Sequence, residues 1–181
     1  MIHHLKSLQS VFFISILIFS SCSSSMKTLK TVPEVDLNRY TGKWYEIARL
    51  PNSFEKGLVC CTAEYGIRPD GKISVTNKGH KEDKPGEVSS VTGKAWQPDP
   101  GEPGRLKVQF FWPFSGGYYI FHLDKDYQYV LVGSPSRKYF WLLARQPQID
   151  DTLYNELITI ARQNDFPVEK IMKIRQDCQG K

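Results

Sequence analysis

Residues 40–50 read Tyr-Thr-Gly-Lys-Trp-Tyr-Glu-Ile-Ala-Arg-Leu, in which a turn glycine, Gly42, is followed by Trp44 and a strand-like run. Side chains alternate between the two faces of a β-strand. If Trp44 faces the interior, the same alternation places three more residues there: Glu46, Ala48 and Leu50. Tyr45 and Ile47 then face outward. We interpret Trp44 as the side chain that closes one end of a small β-barrel.

Short strand signals separated by turns continue from this run to about Arg145. The segment Arg105–Trp112 alternates most clearly, with apolar residues at every second position. Further strands are predicted at 59–67, 72–78, 89–96, 118–123, 129–132 and 139–145. About eight short strands joined by hairpin turns indicate an antiparallel, all-β sandwich or barrel.

The pattern changes after Pro147, where apolar residues recur at helical spacing: Leu153, Leu157, Ile160 and Ala161. Asp150 or Asp151 can cap this element, so the sequence predicts a helix over 151–163. The helix has one apolar face that needs a cover. We therefore expect it to pack outside the barrel, partly on Tyr45 and Ile47. Residues 168–174 are predicted to add a short strand.

The N-terminus has the pattern of an export signal. Val11–Phe19 is apolar apart from Ser15, and it is shorter than the roughly 20 residues that a membrane-spanning helix needs. The small residues before Cys22 resemble the lipobox of bacterial lipoproteins. The resemblance implies a signal peptide at 1–21 and acylation of Cys22 by fatty acyl chains such as palmitate. Residues 22–35 then form the acylated tether, and 36–181 form one domain.

Besides Cys22, three cysteines remain after cleavage behind residue 21: Cys60, Cys61 and Cys178. An exported chain permits disulfides, and adjacent cysteines rarely pair with each other. The expected bridge therefore joins Cys60 or Cys61 to Cys178 and leaves one thiol free. Alternation along the strand places Cys60 outward, with Thr62 and Glu64, which favours Cys60 as the partner of Cys178.

The chain lacks the usual signatures of catalytic and nucleic-acid-binding proteins. Its formal net charge of +5 is scattered without a basic block, so we expect no nucleic-acid partner. There is no His-x-His or Cys-x-x-Cys spacing for a metal and no Gly-x-Ser-x-Gly nucleophile motif. We expect no metal and no cofactor. A haem would need a histidine inside the barrel, and His122 is the one serious candidate.

Four segments in order resemble the lipocalins: residues 40–49, Phe54-Glu-Lys-Gly57, Asn77-Lys-Gly79 and Phe110-Phe-Trp-Pro-Phe-Ser-Gly-Gly-Tyr118. Within that family they are similar to the bacterial outer-membrane lipocalins and to apolipoprotein D. The likeness covers nearly the whole chain after residue 21. It implies an eight-stranded antiparallel up-and-down barrel with one C-terminal helix packed outside. The resemblance also supports a disulfide between the two cysteine-containing regions.

The resemblance assigns roles to residues at the two ends of the barrel. Gly42, Trp44 and Arg145 would form the floor, with the Arg145 cation over the tryptophan ring. The open end would take a fatty acid or lysophospholipid, for lipid storage, transport or envelope repair. Large aromatic side chains are predicted to contact this ligand: Phe110, Trp112, Tyr118 and Trp141. The chain would be anchored by Cys22 in the outer membrane, facing the periplasm.

Two other functions stay open at this point. Cys61, predicted to face inward, would serve as the nucleophile of a lipid-modifying enzyme if its thiol pKa were lowered. A barrel filled by its own aromatic side chains would instead make the chain a structural envelope lipoprotein. We expect a binding protein and not an enzyme. The chain could also form a homodimer, but no residue in the sequence supports this.

Overall fold

The computed structural model describes residues 27–178, so the predicted signal peptide (1–21) and Cys22 lie outside the described residues. The helices are α1 (Leu37–Tyr40) and α2 (Asp151–Gln163), with a 3-10 turn at Val168–Lys170. The strands are β1 (Gly42–Arg49), β2 (Leu58–Ile67), β3 (Ile73–Lys81), β4 (Val88–Trp96), β5 (Arg105–Gln109), β6 (Gly116–Leu123), β7 (Tyr129–Gly133), β8 (Phe140–Ala144) and β9 (Met172–Lys173).

The first eight strands form a closed antiparallel barrel, as predicted. Each strand pairs with its neighbours in sequence, and β1 pairs with both β8 and β2, which closes the sheet. β9 pairs with the last residues of β1, Ala48 and Arg49, beyond the part of β1 that pairs with β2. Because the strands alternate in direction, α1 and the loops after β2, β4 and β6 lie at one end. We call this the closed end. The open end carries the loops 50–57, 82–87, 110–115 and 134–139.

A β-bulge changes which side chains of β1 face the interior. The register between β1 and β8 shifts between Glu46 and Ala48, and one extra residue reverses the face of everything beyond it. Ala48 and Leu50 therefore join the apolar cluster under α2, and the prediction that they face the interior is wrong. Arg49 takes the interior position instead and is 2% exposed.

Helix α2 packs on the outside of the barrel, as predicted. Asp150 caps it by accepting a hydrogen bond from the Leu153 amide. Leu157 and Ala161 are buried in a cluster that includes Ile47 of β1. Neither helix in residues 27–178 is long and apolar enough to cross a membrane.

Residues 27–35 follow the outside of the barrel. Leu29 is buried in the cluster under α2, and the Val32 amide donates to the Ile120 carbonyl. At the start of the described chain, Arg137 donates from Nη2 to the carbonyl of Lys27 at 2.7 Å. This part of the expected tether is therefore packed on the domain, because the domain buries Leu29 and partly buries Val32 and Val35.

Candidate functional site

The floor of the barrel is built around Trp44. Its side chain is fully buried, and its indole Nε1 donates to the Tyr40 carbonyl at 2.9 Å. The Arg145 guanidinium carbon lies 3.9 Å from the centre of the Trp44 ring. Gly42 has a φ of +87°, and an added Cβ there would lie 3.4 Å from Arg145 Nη1. The predicted floor residues thus come together at the closed end.

Three tyrosines form a layer directly above the floor. The Tyr118 hydroxyl lies 2.7 Å from that of Tyr40 and 2.8 Å from that of Tyr65. Burial raises the pKa of all three phenols, so they stay neutral at physiological pH. A cavity of about 10 Å³ lies against this layer, which is room for roughly one water molecule. The lower half of the barrel is therefore filled.

The upper half of the barrel is different. Four of its inward-facing apolar side chains are only partly buried, although they lie on the same face as the core: Val91, Val108, Phe110 and Trp141. At the level of the floor, by contrast, inward residues such as Ile73 and Leu106 are at most 3% exposed. These inward apolar side chains towards the open end therefore keep part of their surface in contact with solvent.

A buried ion pair lies on the wall of this upper half. Arg49 donates from Nη1 to Glu46 Oε1 at 2.6 Å, with both side chains nearly inaccessible. Its Nη2 donates to the carbonyls of Glu55 and Leu58. The guanidinium therefore binds the open-end loop 50–57 to β1 and also donates to the carboxyl group of Glu46.

The same loop is also held from β8, the strand next to β1. The Trp141 indole donates to Glu55 Oε2 at 3.1 Å, and Asn52 Nδ2 donates to the same oxygen at 2.6 Å. The ring of Phe54 packs near those of Tyr139 and Trp141. One rim of the opening is thus fixed by polar contacts and faced with aromatic rings.

One polar atom inside the upper half has no partner. Asn77 shares the inward face with Ala63 and Val91, the residues opposite it on β2 and β4. Its Oδ1 is buried without a hydrogen-bond donor. A buried acceptor of this kind is costly unless water or a ligand supplies a donor.

The electrostatics of the ion pair follow from its burial. Desolvation, with repulsion from Glu55, raises the pKa of Glu46 to about 8, against the opposing effect of Arg49. Desolvation by itself would lower the Arg49 pKa, but the attraction and hydrogen bond of Glu46, together with Cys61 and Glu55, outweigh it and raise the pKa. Near neutral pH this wall thus carries a permanent cation beside a carboxyl group that exchanges its proton.

The four aromatic residues predicted to contact ligand do not lie together. Phe110 and Trp141 face the upper barrel, and Tyr118 belongs to the tyrosine layer below. Trp112 is 86% exposed on the loop 110–115, because β5 ends at Gln109 and alternation no longer applies. The prediction that Trp112 lines the inner wall of a strand is therefore wrong.

The structure bonds Cys60 to Cys178, with Cα atoms 6.1 Å apart. Cys61 is free and buried on the inner face, with its Sγ 3.5 Å from Arg49 Nη1. Burial is the main cause that raises the pKa of the Cys61 thiol to about 12. This is the opposite of the lowered value that a nucleophile needs.

The structure differs from the sequence-based predictions at His122 and at Arg49. His122, the candidate haem ligand, stacks against Tyr129 outside the cavity, because its partner Leu131 belongs to the cluster under α2. The buried position of Arg49 was not predicted, because uninterrupted alternation from Trp44 places Arg49 on the outer face of the barrel. Two opposite charges three residues apart in an apolar strand were the signal that could have indicated a buried pair.

Comparisons with known proteins agree with this geometry. A family described as the lipocalin-like domain matches residues 35–176. The outer membrane lipoprotein Blc of Vibrio cholerae is 40% identical over 160 residues, covering 88% of this chain and 93% of that protein. Blc of Escherichia coli K12 is 40% identical over 158 residues, covering 86% and 89%. Apolipoprotein D of Bos taurus is 37% identical over 145 residues, covering 75% and 74%.

Solved structures with the same architecture include insecticyanin from Manduca sexta, with a TM-score of 0.66 and 20% identity over 83% of this chain and 85% of that one. The cockroach allergen Per a 4 has a TM-score of 0.63 and 22% identity, covering 83% and 93%. Likenesses at this level of identity establish a shared fold and nothing further.

Proposed function

The chain belongs to the lipocalin family, and from this membership we propose that it binds a fatty acid or lysophospholipid in the upper half of its barrel. Binding is reversible capture, with no bond made or broken. We also propose that residues 1–21 are a signal peptide and that acylated Cys22 anchors the chain in the outer membrane, facing the periplasm. The names of the 40%-identical relatives as outer membrane lipoproteins support this location.

The observation that carries the proposal is the contrast between the two halves of the barrel. The floor is filled, with a cavity of about 10 Å³, whereas inward apolar side chains nearer the opening stay partly exposed. An apolar ligand would remove that surface from water. Each buried CH₂ contributes ~0.8 kcal/mol, so roughly ten methylenes supply the ~8 kcal/mol of a micromolar complex before the costs of association.

The polar groups of the upper half would orient such a ligand. Pockets for small ligands are mostly apolar, with a few polar groups that fix orientation. The positive charge of the buried Arg49 favours a ligand with a carboxylate or phosphate near this wall, and the unpartnered Asn77 Oδ1 accepts from a hydroxyl. The acyl chain then lies against Val91 and Phe110 on the wall formed by β4 and β5, above the tyrosine layer.

The proposal is tested by filling the upper barrel. Val91→Trp places a large side chain on the inner face of β4, and Thr92→Trp places the same side chain on the outer face one residue away. We expect Val91→Trp to weaken the binding of a fluorescent fatty acid at least tenfold, with Thr92→Trp close to the unmodified chain. Mass spectrometry of lipid that copurifies under native conditions identifies the natural ligand.

Equal affinity in the two variants would contradict the proposed site. No saturable binding and no copurifying lipid would contradict the proposal itself, in favour of a structural lipoprotein with a filled barrel. The enzyme alternative requires turnover of bound lipid that is lost on blocking Cys61. The raised thiol pKa argues against it.

A further inference from the structure

Exposed apolar side chains are concentrated at the open end of the barrel. Among residues 27–178, eight large hydrophobic side chains are exposed. Seven of them lie on open-end loops or at the strand ends beside them: Phe54, Val88, Phe111, Trp112, Phe114, Tyr139 and Met172. Ile67, at the closed end, is the exception. A surface of this kind on one face marks an interaction site.

The loop between β5 and β6 is the most prominent part of this surface. Phe111, Trp112 and Phe114 are 72%, 86% and 77% exposed, and residues 110–117 contain no charge. Their rings project away from the barrel and are not needed to line it. Tryptophan and phenylalanine at such positions are the residues that enter the interface of a lipid bilayer.

The path of the N-terminal segment brings the chain to the same end. Traced backwards from α1 at the closed end, the segment runs along the outside of the barrel past Ile120. Lys27 then accepts a hydrogen bond from Arg137, which lies in the open-end loop 134–139. The described chain therefore begins beside the opening.

The remaining distance to the anchor decides which end faces the membrane. Four residues lie between Cys22 and Lys27, and the five residue-to-residue steps of a fully extended chain span at most about 18 Å. β2 has 10 residues, so at ~3.3 Å per residue and a tilt of about 40° the barrel is roughly 25 Å high. With the closed end on the membrane, Cys22 would not reach the bilayer.

We propose that the open end docks on the lipid bilayer that holds Cys22, with the loop of Phe111, Trp112 and Phe114 in the membrane interface. The inference rests on the acylation of Cys22 that forms part of the proposed function. In this orientation the upper barrel opens onto the membrane. A lipid can then pass between bilayer and cavity without crossing water.

The test uses tryptophan as a depth reporter. The full acylated chain is reconstituted in vesicles of phosphatidylethanolamine and phosphatidylglycerol that carry brominated acyl chains, which quench tryptophan on contact. The signal of Trp112 is the difference between the unmodified chain and Trp112→Phe. The matched control adds Ile67→Trp to Trp112→Phe, which places a reporter on the exposed closed-end position.

We expect at least half of the Trp112 emission to be quenched and less than a tenth of the emission from position 67. Equal quenching at both positions, or none at position 112, would overturn the proposal. Absent quenching together with a concentration-dependent dimer that Trp112→Phe disrupts would assign this face to a second copy of the chain. The intact mass of the purified chain reports acylation separately, so a missing anchor is distinguished from a wrong orientation.

Discussion

The guanidinium of Arg145 lies over the ring of Trp44, with its carbon 3.9 Å from the ring centre, and connects the end of the last barrel strand to the start of the first. The same group donates hydrogen bonds to the carbonyls of Arg39, Thr41 and Lys43. One side chain therefore fixes the segment that leads from α1 into β1.

Arg145→Ala is expected to lower the free energy of unfolding by about 2–3 kcal/mol. The loss combines a cation–π contact of ~0.5–2 kcal/mol with hydrogen bonds from a charged donor. Thermal or urea unfolding measures it. Arg68→Ala is the matched control, because Arg68 is an exposed arginine at the same end. A melting temperature equal to that of the unmodified chain would dismiss the stabilising role of Arg145.

Gly42→Ala is expected to cost about 1–2 kcal/mol of stability, since an L-residue is disfavoured at positive φ by this amount. The φ of Gly42 is +87°, and the added methyl meets Arg145 Nη1 at 3.4 Å. Gly116→Ala provides the comparison, because no atom lies within 4 Å of its added Cβ. If both variants unfold at the same urea concentration, the backbone of Gly42 does not have this role.

Glu46→Gln is expected to flatten the dependence of stability on pH. The pKa of Glu46 is raised by burial to about 8, whereas an unfolded glutamate titrates near ~4.3. Between these values the folded chain binds more protons than the unfolded chain, so the free energy of unfolding falls as pH rises. Urea unfolding from pH 5 to pH 8 measures the slope. The exposed Glu64→Gln should leave the slope unchanged, and two parallel curves for Glu46→Gln and the unmodified chain would refute the assignment.

Cys61 is expected to resist alkylation in the native chain. Its thiol is 3% exposed, and a pKa raised to about 12 reduces the thiolate fraction on the order of 1,000-fold relative to a free cysteine. Iodoacetamide labelling at pH 8, followed by mass spectrometry, measures the rate. Glu64→Cys, an exposed outward position on the same strand, should label at the ordinary rate. Fast labelling of Cys61 would restore the enzyme hypothesis.

Local sequence patterns were enough to predict the strands and the outer helix, and the resemblance to the lipocalins predicted that the strands form a barrel. Gly42 and Trp44 mark the start of the first strand, period-two alternation marks the others, and helical spacing from Leu153 to Ala161 marks α2. These signals depend on residues close together in the chain, so they need no knowledge of the partners. Tyr45 and Ile47 likewise face outward as the alternation predicts.

The upper barrel depended on the tertiary structure. The bulge in β1 arises from pairing with β8, more than 90 residues away in the chain, and it brings Arg49 inside while it turns Ala48 and Leu50 out. The end of β5 at Gln109 leaves Trp112 in water. The alternation of apolar residues in a sequence does not reveal where a bulge inserts a residue or where a strand ends. The strands and the outer helix therefore follow from local pattern, whereas the polar wall of the barrel and its exposed aromatic rim follow from contacts between distant strands.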